Sequence, residues 1–238
     1  TGGGNEALIN GGYLKHGTTL KSYTVEREFD DLTNKFIVHK GMRVSDLSFS
    51  AQAGAIVTGS CNFAGKAPLA IAAATAGSGA YSASAGVNNE VINGIDHVQG
   101  IYVSNDDTVV TTAVTYTVSQ IDLTLSSPNR PIEGLGTLGP VAIGGNTLSV
   151  SGNLRVYADD TAIALFSDVV NFTEKQLLFR FQDTAGNMYC FFLPQVQFVS
   201  TDGPNASGRD SDVALNIGFV AEYDSTTSSL VTITKIAA

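Results

Sequence analysis

The sequence predicts a mainly β fold, a β-sandwich or half-barrel with one flanking α-helix and long loops, on three observations. Polarity alternates with a period of two through residues 43–66, through 121–126 and 148–156, and again through 196–198 and 213–221. Successive side chains of a strand point to opposite faces, so each of these segments has one apolar and one polar side. Only one segment, just after Asp159, has helical spacing instead. Third, charged residues make up only 15% of the chain, and Ser, Thr and Gly take their place. Outer faces rich in hydroxyls follow, and a surface so poor in charge is expected to be covered in part by other copies of the chain.

In chain order, residues 1–21 hold glycine pairs and little periodicity, which predicts an N-terminal docking arm. Residues 22–29 read as a strand in which Tyr23, Val25 and Arg27 alternate with Thr24, Glu26 and Glu28; 30–34 is a turn, and 36–39 is a strand ended by Gly41. The hairpin that follows organises the rest. Leu47, Phe49 and Ala51 oppose Asp46, Ser48, Ser50 and Gln52; after the corner Ala53-Gly54-Ala55, Val57, Gly59, Cys61 and Phe63 oppose Thr58, Ser60 and Asn62. Residues 67–114 form a long excursion with short apolar pieces at Val91-Ile92 and 98–103, and so long an excursion predicts a functional or partner-binding element.

Regular structure resumes at 114–126, followed by a loop over 128–146 with Gly134, Gly136, Gly139, Gly144 and Gly145, and a central strand over 148–157. Asp159 and Asp160 then stand where they can cap a helix whose apolar stripe is Ala162, Leu165, Phe166 and Val169. A hairpin of 175–182 and 188–193 concentrates Phe179, Phe181, Tyr189, Phe191 and Phe192, and 230–236 is the last strand. The predicted core is Leu47, Phe49, Phe63, Leu148, Val150, Leu154, Phe166, Phe179, Phe181, Phe191, Leu215 and Phe219. No linker divides residues 1–238, so one domain is expected.

Chemistry is conspicuous by what the motifs lack. A net charge of −9 with scattered Lys and Arg excludes an electrostatic nucleic-acid binder. His16, His39 and His97 have no metal-ligand spacing, and Cys61 and Cys190 read as buried free thiols. The stretch Gly59 to Ala67 has one residue too many for a phosphate loop and no hydroxyl after Lys66. No G-x-S-x-G elbow occurs. The sequence therefore predicts no catalytic, metal or cofactor site. The opening Thr1-Gly2-Gly3-Gly4-Asn5 fits a trimmed start without the apolar stretch of a secretory signal, and no segment has the roughly 20 apolar residues of a membrane span.

Four pieces in this order carry a family resemblance: Ser22-Tyr23-Thr24-Val25-Glu26-Arg27-Glu28-Phe29; the hairpin 47–66 with Ile56-Val57-Thr58-Gly59-Ser60 and Gly65-Lys66; the run 134–157 with the helix after it; and 175–223. Together they resemble the major tail tube protein of long, non-contractile-tailed bacteriophages. The resemblance implies six copies closed into a ring by a sheet continuous between subunits. Such rings would stack around a tape-measure protein, between tail terminator and initiator proteins, in a virion tail assembled in the host cytoplasm. DNA would later pass through the lumen without specific binding, and no membrane or cofactor would be involved. Residues 67–114 would serve contacts between rings or subunits, and the loop 127–146 would offer a further low-charge surface to the ring above or below. Glu26, Glu28, Asp46 and Asp122, on polar faces opposite Val25, Leu47 and Leu123, are the candidate lumen-lining carboxylates. The competing readings are the tube of a related injection machine, such as a secretion tube or gene-transfer particle, and a secreted carbohydrate- or cell-surface-binding β-sandwich. The absence of Trp speaks against the latter.

Overall fold

The computed structural model describes residues 13–15, 17, 21–29, 31–33, 35–65, 70–74, 91–105, 114–206 and 212–236. Its strands are β1 (Tyr13–Lys15), β2 (Tyr23–Glu28), β3 (Phe36–Gln52), β4 (Thr58–Ala64), β5 (Ala70–Ala72), β6 (Val98–Asn105), β7 (Val114–Thr115), β8 (Val118–Ser126), β9 (Arg130–Ile132), β10 (Ala142–Gly144), β11 (Ser149–Tyr157), β12 (Glu174–Gln182), β13 (Met188–Thr201), β14 (Asn205–Ala206), β15 (Val213–Ala221) and β16 (Thr232–Ile236). One helix, α1 (Ala162–Asn171), lies between β11 and β12.

Fourteen of the strands pair as one large antiparallel sheet that folds over without closing into a barrel, and β9 and β10 pair as a separate two-stranded hairpin. β4, β3, β8, β11, β15 and the second half of β13 make one layer. β16, the first half of β13, β12, β6 and β7 make the other, with β1 added on β16. β13 passes from one layer to the other, and its register with β12 slips where Pro194 stands. Proline has no N–H to give to a ladder, so it is tolerated at this irregularity. The layers meet at aromatic rings: Phe49 of β3 stands edge-on to Phe191 of β13 at 5.1 Å, and Phe191 stacks on Phe179 at 4.8 Å.

Most of the period-two segments reappear as strands, with three differences that have physical causes. The strand at 36–39 does not end at Gly41. It runs on as the 17-residue β3, because Gly41 takes φ +66° and the register slips there against β2 and near Ser45 against β4. Such bulges bend a strand without ending it. The excursion 67–114 is also part of the fold at its far end: β6 pairs along β12, and Ile101 and Val103 are buried. Residues 75–90 and 106–113 lie outside the described residues, as do most of the arm at 1–21 and His16. Third, the strands expected over 188–193 and from 196 are one strand, β13.

Val150, Leu154, Phe179, Phe181, Phe191, Leu215 and Phe219 are buried, and Phe49 and Leu148 pack partly buried against them. Leu47 is only half-buried. Phe63 is 42% exposed, because β4 pairs only with β3 among the described residues and forms a rim of its layer. Cys61 on the same rim is exposed and Cys190 is half-buried, so neither free thiol is the fully buried one the sequence predicts.

Asp159 Oδ1 accepts the Ala162 N–H at 2.6 Å, so the helix start is capped as its sequence suggests. Ala162 and Leu165 are fully buried, but Phe166, at 100° from Leu165 around the axis, is 36% exposed on the flank. Phe63 and Phe166 therefore do not belong to the core of the single chain.

Candidate functional site

The registers of β4, β3, β8 and β11 assemble their polar positions into rows on one face of the first layer. Asn62, Asp46, Ser126 and Ser149 form one row; Ser60, Ser48, Thr124 and Ser151 the next; Thr58, Ser50, Asp122 and Asn153 the third; and Gln52, Gln120 and Arg155 the last. The opposite face of the same strands carries Ile121, Leu123, Val150 and Leu154, all buried. Burial of one face fixes the register, and the register fixes which polar groups become neighbours.

The rows are stitched across strands. Ser48 Oγ and Ser60 Oγ are 2.7 Å apart, Ser126 Oγ donates to Asp46 Oδ1 at 2.6 Å, and Ser45 Oγ donates to Asp46 Oδ2 at 3.0 Å. Within β8, Gln120 Nε2 donates to Asp122 Oδ2 at 2.8 Å. The hydroxyls of Ser126 and Ser45 favour the charged carboxylate and hold Asp46 below its usual 3.8.

A depressed folded pKa contributes stability above the unfolded value and loses it as pH falls through the folded one. Asp46→Asn should therefore lower Tm near neutrality, and the gap to wild type should close between about pH 5 and pH 2. Thermal melts across that range check it; a gap independent of pH contradicts it.

Of the four carboxylates singled out from the sequence, the structure brings two together. Asp46 and Asp122 stand in adjacent strands on the polar field, two rows apart. Glu26 and Glu28 stand on β2, which pairs with the first part of β3, opposite Val38 and Phe36. Both of those partners are buried, so the face of β2 opposite Val25 is shared with apolar side chains, and it is Val25 whose face carries the 74% exposed Ile71. Alternation marks two faces of a strand; it does not say which one its neighbours cover. Arg155 joins the field from β11, and its place among the polar positions of 149–155 was visible in the sequence, whereas its neighbours were not.

Chemically the field offers hydroxyls and amides, two carboxylates and one guanidinium. A shallow recess over β3, β4 and β8 is lined by Ser48, Ser50, Thr58, Ser60, Asp122 and Thr124 together with Phe49 and Gly59. Gripping a phosphate backbone takes clustered cations, and here Arg155, beyond the row of Asp122 and Asn153, and Arg43, paired with Ala64 beyond the row of Asn62 and Asp46, stand at opposite ends of the field. No group of three or more His, Cys, Asp or Glu able to hold a metal occurs among the described residues.

A search of curated proteins finds no match to this chain. A family match does cover almost all of it, residues 1–221, and agrees with a β-rich chain that presents a broad polar sheet face: the chain belongs to the phage tail tube protein family.

Proposed function

We propose that the polar field of β4, β3, β8 and β11 lines the bore of a tail tube built from hexameric rings, and that DNA slides over it during ejection. The observation that carries this reading is the field itself, four strands wide and without an apolar side chain in any row. The Ser48 and Ser60 hydroxyls pair with each other, and Ser126 and Gln120 donate to Asp46 and Asp122, so these groups offer little to a passing phosphate, and the two carboxylates repel it. A conduit needs weak contact everywhere, and this composition supplies it.

Ring closure has its own support. β4 pairs only with β3 among the described residues, and β7 adds only two residues to the outer side of β6. Exposed strand edges pair readily with another chain. Joining the β4 rim of one copy to the β6–β7 rim of the next removes both edges and extends the polar field around the ring. In this reading the tube belongs to a long non-contractile tail, assembles in the host cytoplasm around a tape-measure protein, and is bounded by terminator and initiator proteins. Glu26 and Glu28 are then outside the bore, and Asp46 and Asp122 inside it.

Virions carrying Asp46→Lys with Asp122→Lys should keep intact tails and eject DNA more slowly, about ten-fold or more, since two new cations per subunit meet the phosphates. Ejection at the wild-type rate from intact tails would exclude these residues from the bore.

A further inference from the structure

Two apolar surfaces have no partner among the described residues. The first is the tip of the β9–β10 hairpin, where Leu135 is 105% and Leu138 83% exposed. It is a built structure: Thr137 Oγ1 donates to the Gly134 carbonyl at 2.8 Å, Val141 N–H to the Ile132 carbonyl at 2.9 Å, and Gly136 and Gly139 take φ of +77° and +88° to close it. A tip held in this way loses little conformational freedom on docking.

The second is the outer side of α1. A surface helix normally turns polar residues outward. Here the only polar residues of α1 are Ser167, Asp168 and Asn171. Ala162 and Leu165 face the sheet, and Ile163, Phe166 and Val170 form a second stripe at spacings of three and four, 45%, 36% and 60% exposed.

The two surfaces sit at opposite ends of β11. The hairpin precedes Ser149 and the helix follows Tyr157, so about 30 Å of strand separates them. They are also opposite in charge. Arg43, bonded to the Ile143 carbonyl, and Arg130 outweigh Glu133 at the hairpin, whereas Asp159, Asp160 and Asp212 surround the start of α1.

We propose that the Leu135–Leu138 tip of one copy seats on the Ile163, Phe166 and Val170 stripe of another copy. A contact between two different surfaces at opposite ends of a subunit is heterologous and repeats without limit unless it closes. It thus supplies the head-to-tail contact that adds copies along the tube. This deepens the tube reading and rests on it.

The test uses the full chain with Cys61→Ser and Cys190→Ser, carrying Leu138→Cys and Ile163→Cys, assembled and treated with a short bismaleimide. A ladder of covalent multimers is expected on a denaturing gel, and tubes seen by electron microscopy without a ladder would overturn the contact alone. In parallel, Leu135→Ser with Leu138→Ser should leave the Tm of the monomer unchanged and raise the concentration needed for tubes about ten-fold or more. Polymerisation at the wild-type concentration overturns the inference. A wild-type chain that forms no rings or tubes at all overturns the tube reading and this contact with it.

Discussion

Gly152→Ala destabilises the chain by about 3 kcal/mol or more, the cost of forcing extra volume into a close-packed sheet at a point where nothing yields. Gly152 lies mid-strand in β11, aligned with Leu123 of β8 and Phe219 of β15. A Cβ there would stand 2.1 Å from the Asp122 carbonyl oxygen and 2.4 Å from Phe219 Cζ. The first of these is backbone of a central strand, and the second belongs to a ring that is 1% exposed and has nowhere to move. Denaturant unfolding of the monomer reads the loss directly, and a change below about 1 kcal/mol would contradict it.

Phe191→Ala comes next, at about 3–5 kcal/mol. Its ring touches Phe49 at 5.1 Å, Phe179 at 4.8 Å and Phe181 at 6.0 Å, and is the meeting point of the two layers. Removing it leaves a cavity bounded by three other rings, with no flexible neighbour to fill it. Phe63→Ala is the matched control. Although Phe63 shows the same alternation in sequence as Phe49, its ring lies on the exposed rim, so its loss should cost under about 1 kcal/mol in the monomer. Equal losses for the two would mean that the rim is packed like the core.

That contrast shows where sequence reading stops. Period-two alternation located β2, β8, β11 and β15 and sorted Leu154 from Asn153, because strand geometry is local. It could not tell Phe49 from Phe63, since burial depends on whether the other layer reaches a given strand. The continuity of β3 past Gly41 and of β13 past Pro194 was hidden because both residues usually end strands, and here each sits at a slip of register. β6 read as part of a loose excursion because its long partner among the described residues, β12, comes about seventy residues later.

The polar field had the same history. Each of its segments was legible as a polar face, but only the register joins Asp46 to Ser126 and Ser48 to Ser60, and only the pairing of β2 with the first part of β3 separates Glu26 and Glu28 from it. The second stripe of α1 was present in the sequence at Ile163, Phe166 and Val170. The stripe of Ala162, Leu165, Phe166 and Val169 is by itself enough to account for the helix, so nothing in the sequence alone calls for a second one.

The most direct test of the conduit account is an electron cryomicroscopy reconstruction of assembled tubes of this chain. The account predicts six-fold rings with Ser48, Ser60, Asp122 and Thr124 facing the central hole. A reconstruction that places this face on the outer wall, with another surface lining the hole, would contradict it.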